Sequence, residues 1–337
     1  SMFEDAASFD QPIGSWNFGS VTSAKSMFKR ATSFNQDLSS WDTTGLTSTE
    51  EMFYRAFAYE HNVDSWNVQS VTSMKRMFDS AILFNHNLDD WDVSSVTTMD
   101  QMFSNAVAFN GYIGSWNTES VTNFDSMFAN ASNFQQDLGD WSTSSVLSMK
   151  RMFYLATTFN HDISRWNTSG VRDLTMTFLG AVSFDQDLSL WDTSSVESMA
   201  FTFYGCTGFH GTGLGQWDTS SVHTLDSTFM HAQTFYEDIG SWDTSRVTTL
   251  HDTFHGATNF AGGNLVNWDT SSVMTMEGTF SDAQSFTADI SMWNTKKVTS
   301  FEGTFQGARN FNSVIDVWDT SSATTMKSMF QEAASFD

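Results

Sequence analysis

The chain carries a single proline (Pro12) and a single cysteine (Cys206) in 337 residues, and 15 Lys and Arg against 39 Asp and Glu. One cysteine forbids an internal disulfide. Cys206 falls on a beat held elsewhere by Ala181 and Ala232, so it reads as a small buried hydrophobe rather than a reactive thiol. It leaves the redox compartment open. A net charge of −24 excludes nucleic acid and anionic lipid as partners, because both demand Lys/Arg patches. No segment approaches the roughly 20 apolar residues of a membrane span, and no signal peptide is visible. No Ser/Gly tract or long charge run marks a linker. The expectation is one continuous array over residues 1–337. With 40% hydrophobic and 15% aromatic residues, the chain is not a disordered one.

What it has instead is a period. Phe3, Phe28, Phe53, Phe78, Phe103, Phe128, Phe153, Phe178 and Phe203 step by 25 residues, and Phe229, Phe254, Phe280, Phe305 and Phe330 follow with two 26-residue steps. All 13 tryptophans, Trp16 to Trp318, keep the same beat. Self-similarity at 20–50 residues is the mark of a solenoid, where each unit buries its apolar face on its neighbours.

Within a coil, Val96, Met99, Phe103, Ala106 and Phe109 are spaced 3, 4, 3 and 3, the interval that puts side chains on one helical stripe. Thr97 lies three residues before Asp100, and Thr47–Glu50, Thr122–Asp125 and Thr299–Glu302 repeat this capping-box-like pairing. The spacing predicts a helix over about Thr97–Ala106 in every coil. The segment Asn87-Leu-Asp-Asp-Trp-Asp is too short for a second helix and predicts a brief strand. The fold class is therefore an α/β solenoid, leucine-rich-repeat-like, of about 13 coils of 25–26 residues, each a short parallel strand plus a short helix. Strands stacked about 4.8 Å apart would make a rod roughly 60 Å long. A helix-free β-solenoid is the alternative. Both termini are cut at the same phase (Ser1-Met-Phe-Glu-Asp and Ser328-Met-Phe-Gln-Glu) without polar caps, so a fragment of a longer array, or ends that stack on other molecules, is expected.

Phe34-Asn-Gln-Asp-Leu-Ser-Ser-Trp-Asp-Thr and Val71-Thr-Ser-Met-Lys-Arg-Met-Phe resemble the bacterial surface-protein 26-residue tandem repeat, a family related to the BspA-like leucine-rich-repeat surface proteins. The resemblance covers essentially the whole chain. It implies a secreted or surface-anchored protein, with adhesion or host contact as its role, and supplies no catalytic residues. The chain departs from that pattern where Thr replaces Met before the Phe, at Thr177, Thr202, Thr228, Thr253, Thr279 and Thr304.

Candidate sites are rows, one residue per coil. The tryptophans are either a core ladder or an exposed strip for stacking on sugars. The core is favoured, since each follows a Leu, Ile or Val by three residues and an exposed strip would be aggregation-prone. After each Trp stands Asn, Asp or, at Ser142, serine. These residues suit side-chain-to-backbone bonds that close a turn. Four consecutive coils carry Asp192, Asp218, Asp243 and Asp269, and a second row holds Asp137, Asp162 and Asp187. Either row could be a Ca²⁺ ladder. Solvated carboxylates about 5 Å apart repel by only about 1 kcal/mol in water and need no metal. Between Asp173 and Asp289 there are 15 acids and one base, Arg246, with five of the eight histidines. That block is the preferred contact region for a basic protein or a cation, against plain drift on a soluble surface. His251 and His255 have zinc-protease spacing without its glutamate or a third ligand. His61 and His86 share a position in adjacent coils.

The functional expectation is a non-enzymatic, extracellular or cell-surface protein mediating adhesion or protein binding through a lateral face, with end-to-end self-association as a further partner mode. The alternatives are a Ca²⁺-rigidified spacer and a glycan-binding module using exposed Trp.

Overall fold

A computed structural model describes residues 2–337. The chain divides into two compact units, Ser1–Gly170 and Val171–Asp337. Each is a stack of one-period coils. In the first unit a single parallel bridge per coil joins Ser23 to Ser48, Ser48 to Ser73, Ser73 to Thr98, Thr98 to Asn123 and Asn123 to Ser148. In the second, the bridges run from Asp173 through Ser198, Thr224, Thr249, Thr275 and Ser300 to Thr325.

The helix expected over Thr97–Ala106 is not there. Met102 N–H bonds Met99 O (3.0 Å), Ala106 bonds Phe103 O (3.1 Å) and Phe109 bonds Ala106 O (2.9 Å). These are successive tight turns. The amides between them point along the stack: Gln101 to Asp125 O (2.9 Å), Phe103 to Met127 O (3.0 Å) and Asn105 to Ala129 O (2.7 Å). An α-helix would keep every such donor within its own coil. Here alternate donors are spent on the next coil, which requires a left-handed residue inside each turn. Gln101 (φ 57°) and Asn105 (φ 55°) supply it. The coil is thus nearer the helix-free alternative. Among the described residues the helical segments are two 3-10 turns, Leu214–Gln216 and Leu265–Asn267. Both follow the Gly-rich one-residue insertions, whose Gly211 (φ 94°) and Gly262 (φ 100°) bend where a side chain would strike the next coil's Phe235 or Phe286.

Aromatic columns fill the core of each unit. In the first, Phe28, Phe53, Phe78, Phe103, Phe128 and Phe153 stack at 5.5 to 5.9 Å between centroids. Each also lies 3.8 to 4.1 Å from the second aromatic of its own coil, as in Phe103–Phe109 and Phe53–Tyr59. Such pairs add about 0.5–1.5 kcal/mol each beyond their burial. The two units differ in the column beside the Phe. Met52, Met77, Met102, Met127 and Met152 are buried in the first, and Thr177, Thr202, Thr228, Thr253, Thr279 and Thr304 in the second. A buried hydroxyl needs a partner. Thr202 donates to Leu174 O (3.1 Å) and Met199 O (2.7 Å), and Thr279 to Leu250 O (2.9 Å) and Met276 O (2.8 Å). These threonines are wholly buried and offer no exposed threonine plane. Cys206 is buried too, its thiol on Phe178 O (2.8 Å) and pushed up by desolvation out of the reactive range.

Candidate functional site

The tryptophan column belongs to the core. From Trp41 to Trp293 the rings are 2–4% exposed, Trp318 is 9% exposed, and Trp16 in the first coil is 46% exposed. From Trp41 to Trp166 and from Trp217 to Trp318 the indole N–H donates to a carbonyl one coil back, for example Trp66 to Leu38 O (3.0 Å), Trp91 to Val63 O (3.0 Å) and Trp293 to Leu265 O (2.8 Å). The faces stack on one another, as in Trp91–Trp116 (6.4 Å) and Trp268–Trp293 (6.0 Å). An exposed aromatic strip for sugars is therefore not present, because burying each ring also satisfies its N–H.

The Asn or Asp after each Trp closes a turn, and only Ser142 departs from this. Asp218 Oδ1 accepts from Ser220 N (2.9 Å), Asp243 from Ser245 N (2.9 Å), Asp269 from Ser271 N (2.9 Å), and Asp192 from Ser194 N (3.1 Å) and Oγ (2.6 Å). The second row does the same on the other side of the Trp: Asp137 with Gly139 N (2.9 Å), Asp162 with Ser164 N (2.9 Å) and Asp187 with Ser189 N (2.8 Å). Bonds from the Ser220 and Ser271 hydroxyls and amides hold Asp218 and Asp269 below the usual carboxylate range. The Ser164 amide and hydroxyl do so for Asp162. Asp137 and Asp162 share a shallow cleft of about 140 Å³ with Gly139, Asp140 and Arg165. Among the described residues no three His, Cys, Asp or Glu side chains gather to hold a metal ion.

Turn closure also accounts for much of the acidic block. Asp173, Asp187, Asp192, Asp218, Asp238, Asp243, Asp269 and Asp289, eight of its 15 acids, each accept from a backbone amide two residues on. Asp185, Asp226 and Asp252 face histidines: His210 (2.7 Å), His251 (3.3 Å) and His255 (3.0 Å). The zinc-like spacing of His251 and His255 loses its meaning in a turn, where both rings border the Asp252 carboxylate (3.6 and 3.0 Å) and His251 also faces Asp226. His61 and His86 are structural, their Nε2 atoms on Asn35 O (3.1 Å) and Glu60 O (2.6 Å) of the preceding coil.

Two features escaped the reading of single coils. In the first unit Lys25, Glu50, Lys75 and Asp100 occupy one position in consecutive coils, and Lys25 pairs with Glu50 (2.9 Å) and Lys75 with Asp100 (2.6 Å). Aligning the sequence by phase exposes that alternation. Beside it, the Arg76 guanidinium lies 4.7 Å above the Tyr54 ring and its Nε reaches Asp79 at 3.1 Å. Asp79 is only 2% exposed, and burial pushes its carboxyl up against the pull of Ser80 and Arg76.

Each unit is a tandem-repeat solenoid with its aromatic columns inside and polar rows outside. The chain belongs to the family described as Mycoplasma protein of unknown function, DUF285, whose matches cover residues 1–91, 81–189, 172–264 and 253–337. No curated protein matches it. Among solved structures it is similar to the TLR13–ssRNA13 complex (12% identity, TM-score 0.22, covering 87% of this chain and 52% of that one). It is also similar to the Toll–Spätzle complex of Drosophila (11%, TM-score 0.25, 82% and 42%). A third is a leucine-rich-repeat protein of Leptospira interrogans (9%, TM-score 0.23, 90% and 76%). The chain spans about half the length of the first two. Likeness at these scores carries no argument about ligand. Among the described residues no helix is long and apolar enough to cross a membrane.

Proposed function

We propose that the chain is a non-enzymatic repeat protein of the cell surface that adheres to, or binds, a protein through one lateral face of its coils. The observation that carries this reading is the contrast between columns in the second unit. Val171, Val196, Val222, Val247, Val273 and Val298 are buried at one position. Their immediate neighbours Arg172, Glu197, His223, Thr248, Met274 and Thr299 change chemistry from coil to coil, and Arg172, Glu197, His223, Met274 and Thr299 are exposed. A repeat that keeps its core and varies one face has the layout of a binding surface. Met274 and Thr299 also border a shallow trough of about 620 Å³ with Lys296, Lys297 and Ser322. The acidity of the chain favours a basic protein or cell-surface ligand. The likeness of Trp-Asp-Thr-Ser-Ser-Val and Met-Phe to the 26-residue bacterial surface repeat supports an extracellular or cell-surface location.

The test compares adhesion of immobilised chain to host cells with that of a variant whose Arg172, Glu197, His223 and Met274 are all replaced by Thr, the residue this column carries at Thr248 and Thr299. Loss of adhesion with an unchanged melting temperature is the expected result. Equal adhesion, or none by either protein, rejects the reading. A second reading, a Ca²⁺-stiffened spacer, rests on the two row carboxylates Asp137 and Asp162 that border one shallow cleft. Its mark is a Ca²⁺-specific rise in melting temperature that Mg²⁺ does not reproduce and EDTA abolishes.

A further inference from the structure

We propose that in the second unit histidines replace the lysines and arginines of the first as partners on the turn face, making the seam around His231 and His255 a pH-tuned clasp that is tightest when it holds one proton. Phase alignment carries the comparison. His251 stands where Lys25 and Lys75 do, His255 where Lys29 does, His231 where Arg30 and Arg55 do, and Asp252 where Glu51 does. In the first unit these positions hold permanent cations: Lys25 on Glu50 (2.9 Å), Lys29 on Glu51 (2.6 Å) and Arg30 on Asp5 (2.7 Å). In the second, His251 Nδ1 faces Asp226 (3.3 Å) and His255 Nδ1 faces Asp252 (3.0 Å).

The seam is built to hold these rings. His231 lies over Gly256 of the next coil and Asp252 over Gly278, where a Cβ would collide with the imidazole Nδ1 and the carboxylate Oδ1. The His231 and His255 rings meet edge to face at 5.1 Å, and Tyr204 stands edge-on to His231 at 5.8 Å. Backbone bonds cross the same seam, from His231 N to His255 O and from Gly256 N to Ser281 O, both 2.7 Å. The charged groups facing it are Asp226 from the coil before, His251 and Asp252 from the coil of His255, and Asp282 from the coil after, where Glu277 takes the position of His251. Between Arg246 and Lys296 there is no Lys or Arg, so protons are the local source of positive charge.

The two rings respond in opposite directions. The hydrogen bond to Asp252 raises His255 in spite of its burial. Burial first, and then the neighbouring His255 charge, lower His231. The stabilisation from His255 is complete below about pH 6.5, the unfolded value, and fades as pH rises through its higher folded value. His231 resists its proton, so acidification from about pH 6.5 through its lower folded value costs stability. The seam therefore loosens on both sides of a weakly acidic optimum.

Hydrogen exchange of the whole chain at pH 5, 6.5 and 8, corrected for intrinsic rates, tests this. Peptides over His231–Gly256 should be most protected near pH 6.5 and lose about threefold in protection at pH 8, as expected for a partly exposed pair. Peptides over Lys25–Arg55, which contain no histidine, should not respond. His255→Tyr, the residue found at Tyr54 and Tyr204, should remove the alkaline loss. His231→Asn should remove the acid loss, since Asn105 (φ 55°) and Asn130 (φ 57°) already fill that left-handed position. A flat wild-type profile, or variants that keep the full response, overturns the proposal. If a variant fails to fold, imidazole Cε1–H titration of the wild type decides: one ring above and one below about pH 6.5 upholds it, and coincident titration rejects it.

Discussion

Thr49 and Thr202 show how little a residue's name says about its energy. Both are fully buried, but the Thr49 hydroxyl has no partner while that of Thr202 donates to two carbonyls. The same change should therefore have opposite signs. Thr49→Val is expected to stabilise by about 1 kcal/mol and Thr202→Val to destabilise by about 1 kcal/mol, read from the urea midpoint of tryptophan fluorescence. Tyr59 extends the case. Its ring belongs to the second aromatic column, but its hydroxyl is buried without a partner, and desolvation raises its pKa well above the ordinary value. Tyr59→Phe should raise the midpoint, and a lowered one would mean that the hydroxyl makes a bond in solution.

At the scale of the turn, the aspartates of both rows each accept a backbone amide two residues on. Asp218→Ala should cost about 1 kcal/mol by analogy with lost side-chain caps, while Asp218→Asn should keep the stability at pH 7, since Asn67, Asn117 and Asn167 close equivalent turns. Because the folded pKa of Asp218 is lowered, its charge-dependent stabilisation is present above about pH 3.9 and is lost as pH falls through the folded value. The Asn variant should lack that part of the acid loss in a pH series of melts. The turn closures were legible in the sequence, because Asx chemistry is local. The helix over Thr97–Ala106 was a misreading for the complementary reason. A 3-4-3-3 spacing fits both a helical stripe and a run of tight turns. What separates them is whether the amides of Gln101, Phe103 and Asn105 bond within the coil or 24 residues further on, and spacing carries no trace of that. The His–carboxylate seam lay in view only once coils were aligned by phase.

For the molecule as a whole, the aromatic beat set the core, and the tryptophans should report it. Emission is expected to be blue-shifted and resistant to acrylamide, with a small quenchable fraction from Trp16. Strong quenching of most of the signal would contradict the buried column. The charge column of the first unit has a consequence for how such a chain can change its length. Lys25, Glu50, Lys75 and Asp100 alternate in sign before Asp125 breaks the pattern, so over these four coils the backbone repeats every 25 residues but the electrostatics every 50. Deleting residues 26–50 keeps every coil in phase and sets Lys25 against Lys75. Deleting 26–75 sets Lys25 against Asp100. The longer deletion removes more core, but its remaining column should be the better matched by a few tenths of a kcal/mol up to about 1. That difference should vanish in high salt. Between Lys25 and Asp100, growth and loss then obey a parity rule, in which coils are best gained or shed in pairs.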